Sequence, residues 1–240
     1  MTDYVAIALA QIERAIEARQ SPPRIMIRRI EINTTAEKKR KKMEIKSDEK
    51  VRRQYEFVDI NQVHDSLVKF FTKTYGVSEK CKGHVIRIYL FIVALLGSDF
   101  SLGIPRVGPS TLWKNLDVIW APLQQAYDPT TQQFNVKAVA NNVIAPLLAS
   151  VHKKHAGNAS SKNITNLLQT IKTSHTLSEK AREAIPSVSD MACLVKNSNW
   201  ALSYWLDATS CEDSNQKKYG FLSRSNGELE RDKNATLEEE

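Results

Sequence analysis

The chain has 240 residues, 42% of them hydrophobic, with 8 Gly, 8 Pro and a formal net charge of +7. That length allows one sizeable core or two small ones, and the composition excludes collagen-like and low-complexity chains. The positive charge fits a polyanionic partner, while three scattered cysteines (Cys81, Cys193, Cys211) without a CxxC pair argue against a disulfide framework or zinc site and fit a reducing, intracellular setting.

Residues 1–20 lack the basic start and apolar core of a signal peptide. The longest apolar run, Val85 to Leu96, is interrupted by Arg87 and is too short to cross a bilayer, so it reads as a buried helix and no membrane partner is expected. The sequons at Asn33, Asn158, Asn163 and Asn234 are therefore expected to carry no glycan.

In chain order, residues 5–19 place Ile7, Ala8, Ile12, Ala15 and Ile16 at helical spacing. Ser21-Pro22-Pro23 ends that segment, and Ile25 to Ile32 reads as a strand. Residues 36–53 form a charged block with local net charge +5, the pattern of a solvated loop or exposed helix. Its core, Lys38-Lys39-Arg40-Lys41-Lys42, is similar to a nuclear localisation signal. From Asp59 the pattern turns helical, with Val63, Leu67, Phe70 and Phe71 on one face.

A second short helix is expected to begin near Ser110, followed by helices over Val136–His155 and Ile164–Lys172, with a small-residue linker at 157–162. His152 and His155 are spaced as a metal pair, but without carboxylate or Cys partners a solvated basic face is the simpler reading. Trp200, Tyr204 and Trp205 fit one helix face and are expected in the core. Ser225-Asn226-Gly227 between two short apolar runs signals a hairpin, and the polar stretch from Asp232 to Glu240 is expected to be disordered.

The chemically informative stretch is Leu95-Leu96-Gly97-Ser98-Asp99-Phe100-Ser101-Leu102-Gly103-Ile104-Pro105-Arg106-Val107-Gly108-Pro109-Ser110-Thr111. A buried helix delivers the Asp99 carboxylate at its C-terminal end, where the helix dipole disfavours it. A divalent cation is a natural compensation. In the turn that follows, Gly108 is expected to supply positive φ and a close backbone approach. Pro109 suits a first helical turn, and Ser110 and Thr111 stand at a helix N-terminus, where N–H groups suit a DNA phosphate.

These residues resemble the flap endonuclease/XPG family of structure-specific 5′ nucleases. Members carry a leucine-rich helix ending in Leu-Gly-Ser/Cys-Asp-Tyr, then a Gly-Ile-Pro-Gly-Val-Gly-Pro hairpin. The resemblance covers about Asp3 to Lys154. It implies that Asp99 is a metal-binding aspartate and that Asp3 is the second member of an Asp-x-Asp pair at a strand end, with Met1 standing where the first aspartate belongs. The cofactor implied is Mg2+ or Mn2+. The carbonyls of Gly103, Ile104 and Val107 would hold K+ at the hairpin, and Gly108, Ser110, Thr111 and Lys114 would meet DNA. Arg106 departs from the family by replacing the first glycine of the Gly-x-Gly pair, and either crowds the cation or supplies its charge.

The implied fold is α/β: a partial PIN-like sheet remnant, then a mainly helical region with a helix–hairpin–helix motif. The division expected is 1–96 for the nuclease-core part with its basic insertion, 97–156 for the hairpin region and 157–240 for a C-terminal extension. The partner expected is flapped, branched or single-strand-ended duplex DNA, in the nucleus. Two ions about 4 Å apart need more carboxylates than Asp3 and Asp99. The chain alone is therefore expected to be inactive, with the remaining ligands on an absent half or another chain. The alternatives are a non-enzymatic DNA-binding module and a protein-interaction scaffold.

Overall fold

The computed structural model describes residues 3–30, 55–97, 103–156, 163–207, 219–223, 229–232 and 234–237. Over these the chain is mainly helical, with three two-stranded antiparallel sheets. The α/β expectation holds in that coarse form. The basic block 36–53, its Lys38–Lys42 core, the 157–162 linker and Asp99 lie outside the described residues.

The helix Val85–Leu95 is the centre of the core: all eleven of its residues are buried. A helix apolar all round has no face to give to water, so other helices surround it. The first helix, Asp3–Glu17, and the long helix Val188–Leu206 both lie against it, and also against each other. Ala6, Ala10 and Ala8 let the first helix approach closely, while Leu9 and Ile12 fill the space between. Arg87 is the charged exception in the central helix. Its guanidinium, 4% exposed, forms a two-pronged pair with Glu17, with Nε donating to Oε1 at 2.8 Å and Nη2 donating to Oε2.

One turn earlier on the first helix, buried Glu13 meets His64 Nε2 at 3.0 Å. Two carboxylates at i and i+4 share a helix face. They thus tie the first helix to two neighbours, the central helix and the helix Ile60–Tyr75. At its C-terminal end, Arg14 pairs with Asp207 at 3.2 Å, and Gln11 donates to the Trp205 carbonyl at 3.2 Å.

The expected strand appears as Met26–Ile30, paired antiparallel with Tyr55–Asp59, Ile27 opposite Val58. Ile27 and Val58 pack on the core, while Met26 and Phe57 stay exposed. Asp59 ends the second strand and caps the next helix by accepting from the Asn61 and Gln62 amides, the usual satisfaction of orphan N–H groups. Phe71 on that helix is fully buried, Val63 and Leu67 partly so, and Phe70 remains exposed.

The helical run expected over Val136–His155 is present but segmented: Val136–Val139, a π-helical stretch Ala140–Ile144, Ala145–Val151 and Lys153–Ala156. Pro146 stands just after the widened stretch, at the start of Ala145–Val151, where its missing N–H and its ring disfavour an ordinary hydrogen-bonded turn. In the widened turn the Asn141 side chain accepts from the Ile164 amide at 3.0 Å, which anchors the helix Ile164–Thr173.

The helix Val188–Leu206 starts with a capping box between Ser187 and Asp190. Trp205 is buried as expected, and Trp200 and Tyr204 are half-buried and stacked with centroids 5.2 Å apart. Phe221–Ser223 pairs with Leu229–Arg231 across the Asn-Gly segment, as the hairpin signal implied. The expected disorder from Asp232 onward is corrected at two positions, since Asp232 and Ala235 are buried. The Cys193 thiol donates to the Asp232 carbonyl at 2.9 Å and so ties this segment to the long helix.

Candidate nucleic-acid interface

The candidate hairpin begins where the central helix ends. The Leu96 amide still reaches Ile92 and Val93, and the Gly97 amide bonds to the Ala94 carbonyl at 3.1 Å, with Gly97 at φ +106°. After residues 98–102 the chain returns to the same helix end: the Ile104 amide donates to the Leu95 carbonyl at 3.0 Å. This return passes so close that a Cβ on Gly103 would lie 2.2 Å from the Leu96 carbonyl oxygen. No side chain fits there.

The Val107 amide then closes a four-residue turn onto the Ile104 carbonyl at 3.0 Å. Pro105 occupies the second position and Arg106 the third, with Arg106 at φ +62°. Proline followed by a positive-φ residue is the pattern of a type II turn, which favours glycine third. The geometry thus gives a physical reason for the glycine that the resembling family carries there. Here an arginine accepts the left-handed conformation, and its side chain is exposed. Ile104 and Val107, 3% and 5% exposed, pin the turn to the core.

Gly108 corrects an expectation. It has φ −90° and ψ 172°, and a Cβ built on it meets nothing within 4 Å. It is therefore not the residue that supplies positive φ or a tight intramolecular approach; those roles fall to Arg106 and Gly103. Gly108 instead stands as N-cap of the helix Pro109–Lys114, its carbonyl accepting from Thr111 and Leu112 at 3.0 and 3.1 Å. Among the described residues the Gly108 and Ser110 amides have no acceptor. Ser110 and Lys114 are exposed and Thr111 half-buried, and Arg106 and Lys114 have no ion-pair partner among the described residues. Of the three carbonyls expected to face K+, that of Ile104 already accepts the Val107 amide and keeps one lone pair.

The metal expectation fares differently. Asp3 is the first residue of a helix, not the end of a strand. The local reason is the alanine-rich, helically spaced sequence from Val5 to Ile16, which favours helix over strand. Asp99 lies outside the described residues, and among the described residues no three His, Cys, Asp or Glu side chains gather to hold an ion. The residues described therefore do not make a metal set. His152 is buried and has a partner, so it is not part of the solvated basic face expected there.

Sequence reasoning missed the buried polar ladder of Glu13–His64 and Glu17–Arg87. Both of His64's ring nitrogens face carboxylates, Glu13 at 3.0 Å and Asp65 at 3.3 Å. Burial pulls the His64 pKa down, but the two hydrogen bonds and the two nearby carboxylates outweigh it and leave it raised. Contacts made across fifty or more residues leave no local spacing signal. No family model matches the chain, and neither a curated protein nor a solved structure matches it.

Proposed function

We propose that this chain is the DNA-binding part of a metal-dependent, structure-specific 5′ nuclease of the flap endonuclease type, acting on branched DNA in replication or repair. The observation that supports the reading is the turn Ile104–Val107 leading into the helix Pro109–Lys114, with the unpaired Ser110 amide and the exposed Arg106 and Lys114. Unpaired amides beside unneutralised cations suit a phosphodiester backbone and carry no base preference. Such a module reads DNA shape rather than sequence.

In this proposal Asp99, with Asp3, contributes to an Mg2+ or Mn2+ site in the nucleus-targeted parent enzyme, and K+ sits at the hairpin carbonyls. Two carboxylates are too few for two ions, so the purified chain is predicted not to cut DNA, and a further chain or segment would supply the missing ligands. One observation favours the alternative of a non-catalytic DNA-binding module. Asp3 opens a helix that is locked in place by Glu13, Arg14 and Glu17, an arrangement with structural rather than catalytic logic.

The test is binding of the chain to a 5′-flap DNA and a plain duplex over a salt series, with Asp99→Ala and Gly108→Val variants. Steeply salt-dependent affinity that Gly108→Val weakens supports the hairpin reading. Binding without salt dependence, or none, points to a protein-interaction scaffold.

A further inference from the structure

Beside the hairpin lies a cluster of six aromatic rings. Phe71 is its buried centre, stacked on Trp120 at 4.3 Å and 19° and 5.8 Å from Tyr89. Two members are not consumed by the core. Phe70 is 45% exposed with its ring 5.3 Å from Phe71, and Trp113 is 42% exposed with its ring 6.5 Å from Phe71. They come from separate elements, the helix Ile60–Tyr75 and the helix Pro109–Lys114, and both border the one buried ring of Phe71.

The charge beside them is positive. Lys69 and Lys73 flank Phe70, Lys114 follows Trp113, and all three are exposed with no carboxylate partner among the described residues. Phe70 and Lys73, three residues apart, share a helix face, as do Ser110 and Trp113. Trp113 therefore lies one turn beyond the hydroxyl and amide that face phosphate in the proposed hairpin site.

We propose that Phe70 and Trp113 form a stacking platform for the bases of a single-stranded DNA end, with Lys69, Lys73 and Lys114 holding its phosphates. Every base has a π-face, so exposed rings bordered by unpaired cations take a single strand regardless of sequence. A duplex keeps its bases stacked inside and has nothing to offer the rings. A wholly apolar protein partner would leave three lysines unpaired, so the charge favours a polyanion. This platform extends the duplex-binding hairpin and rests on that reading.

The experiment uses the full chain with two probes: a blunt duplex, and the same duplex carrying a short single-stranded extension with 2-aminopurine at successive positions. The extension should tighten binding about tenfold, and 2-aminopurine emission should be quenched by stacking on the unmodified protein. Trp113→Ala and Phe70→Ala each remove most of the gain while leaving blunt-duplex affinity in place, and Trp113→Phe retains it. Blunt-duplex binding with no gain from the extension and no quenching overturns the platform and leaves the hairpin reading standing. Absence of binding to either probe overturns both. The quenching result needs no substitution, so a variant that misfolds does not rescue the proposal.

Discussion

Arg106 tests the hairpin geometry most sharply, because its backbone and its charge predict opposite effects. The residue sits at φ +62° in the third position of a turn that prefers glycine. Left-handed backbone costs a non-glycine residue about 1–2 kcal/mol. Arg106→Gly removes that cost but gives the unfolded chain more freedom, which offsets about 0.4–1 kcal/mol. The net expectation is a gain of about 0.5–1 kcal/mol, or a melting temperature raised by about 1–4 °C for a chain of this size. The same substitution deletes an exposed cation, so the slope of log affinity against log salt falls by about 0.9 if Arg106 contacts one phosphate. Arg106→Ala is the control: it loses the charge and keeps the strained backbone. Circular-dichroism melts and salt-dependent DNA titrations on the three proteins separate the two effects. A glycine variant no more stable than the alanine variant would refute the strained-turn assignment. Equal salt slopes in all three would remove Arg106 from the phosphate site.

Three other outcomes follow from the same structure. Gly103→Ala puts a methyl against the Leu96 carbonyl, and thermal melts should show a loss of about 2 kcal/mol or more as the hairpin is forced off the central helix. Gly108→Val meets open space within the protein and its backbone is extended, so stability should hold within about 0.5 kcal/mol, while DNA affinity falls if phosphate approaches there. The His64 pair contributes stability that is full below the unfolded value of 6.5 and is lost as pH rises through its raised folded value. Melts from acid to alkaline pH should show that decline, and His64→Gln should flatten it; an unchanged pH profile in the variant would show that His64 is not the titrating group.

The hydrophobic elements were legible in the sequence because their patterns are local. The apolar run Val85–Leu95, broken only by Arg87, reads as a buried helix, and the helical spacing of Ile7, Ala8, Ile12, Ala15 and Ile16 marks the first helix. The strand Tyr55–Asp59 was hidden, since five residues next to a charged block give too little alternation to stand out. The glycines were legible as a set but not singly. Sequence places three in the hairpin region, but only the fold shows that Gly103 meets a carbonyl, Gly97 turns the helix end and Gly108 is extended in open space. Asp3 shows a resemblance and a local propensity in conflict, and propensity prevails in this structure. The exposed edges of Phe70 and Trp113 follow from which neighbour fills the core, and periodicity cannot distinguish Phe70 from Phe71 in that respect.

The central claim is that the hairpin binds DNA phosphate, and the most direct measurement compares the unmodified chain with Gly108→Val on a 5′-flap duplex across a salt series. Affinity should fall steeply with salt, and the variant should melt like the parent yet bind more weakly, because its added side chain meets only the incoming backbone. Undiminished binding by the variant, or affinity indifferent to salt, would contradict it.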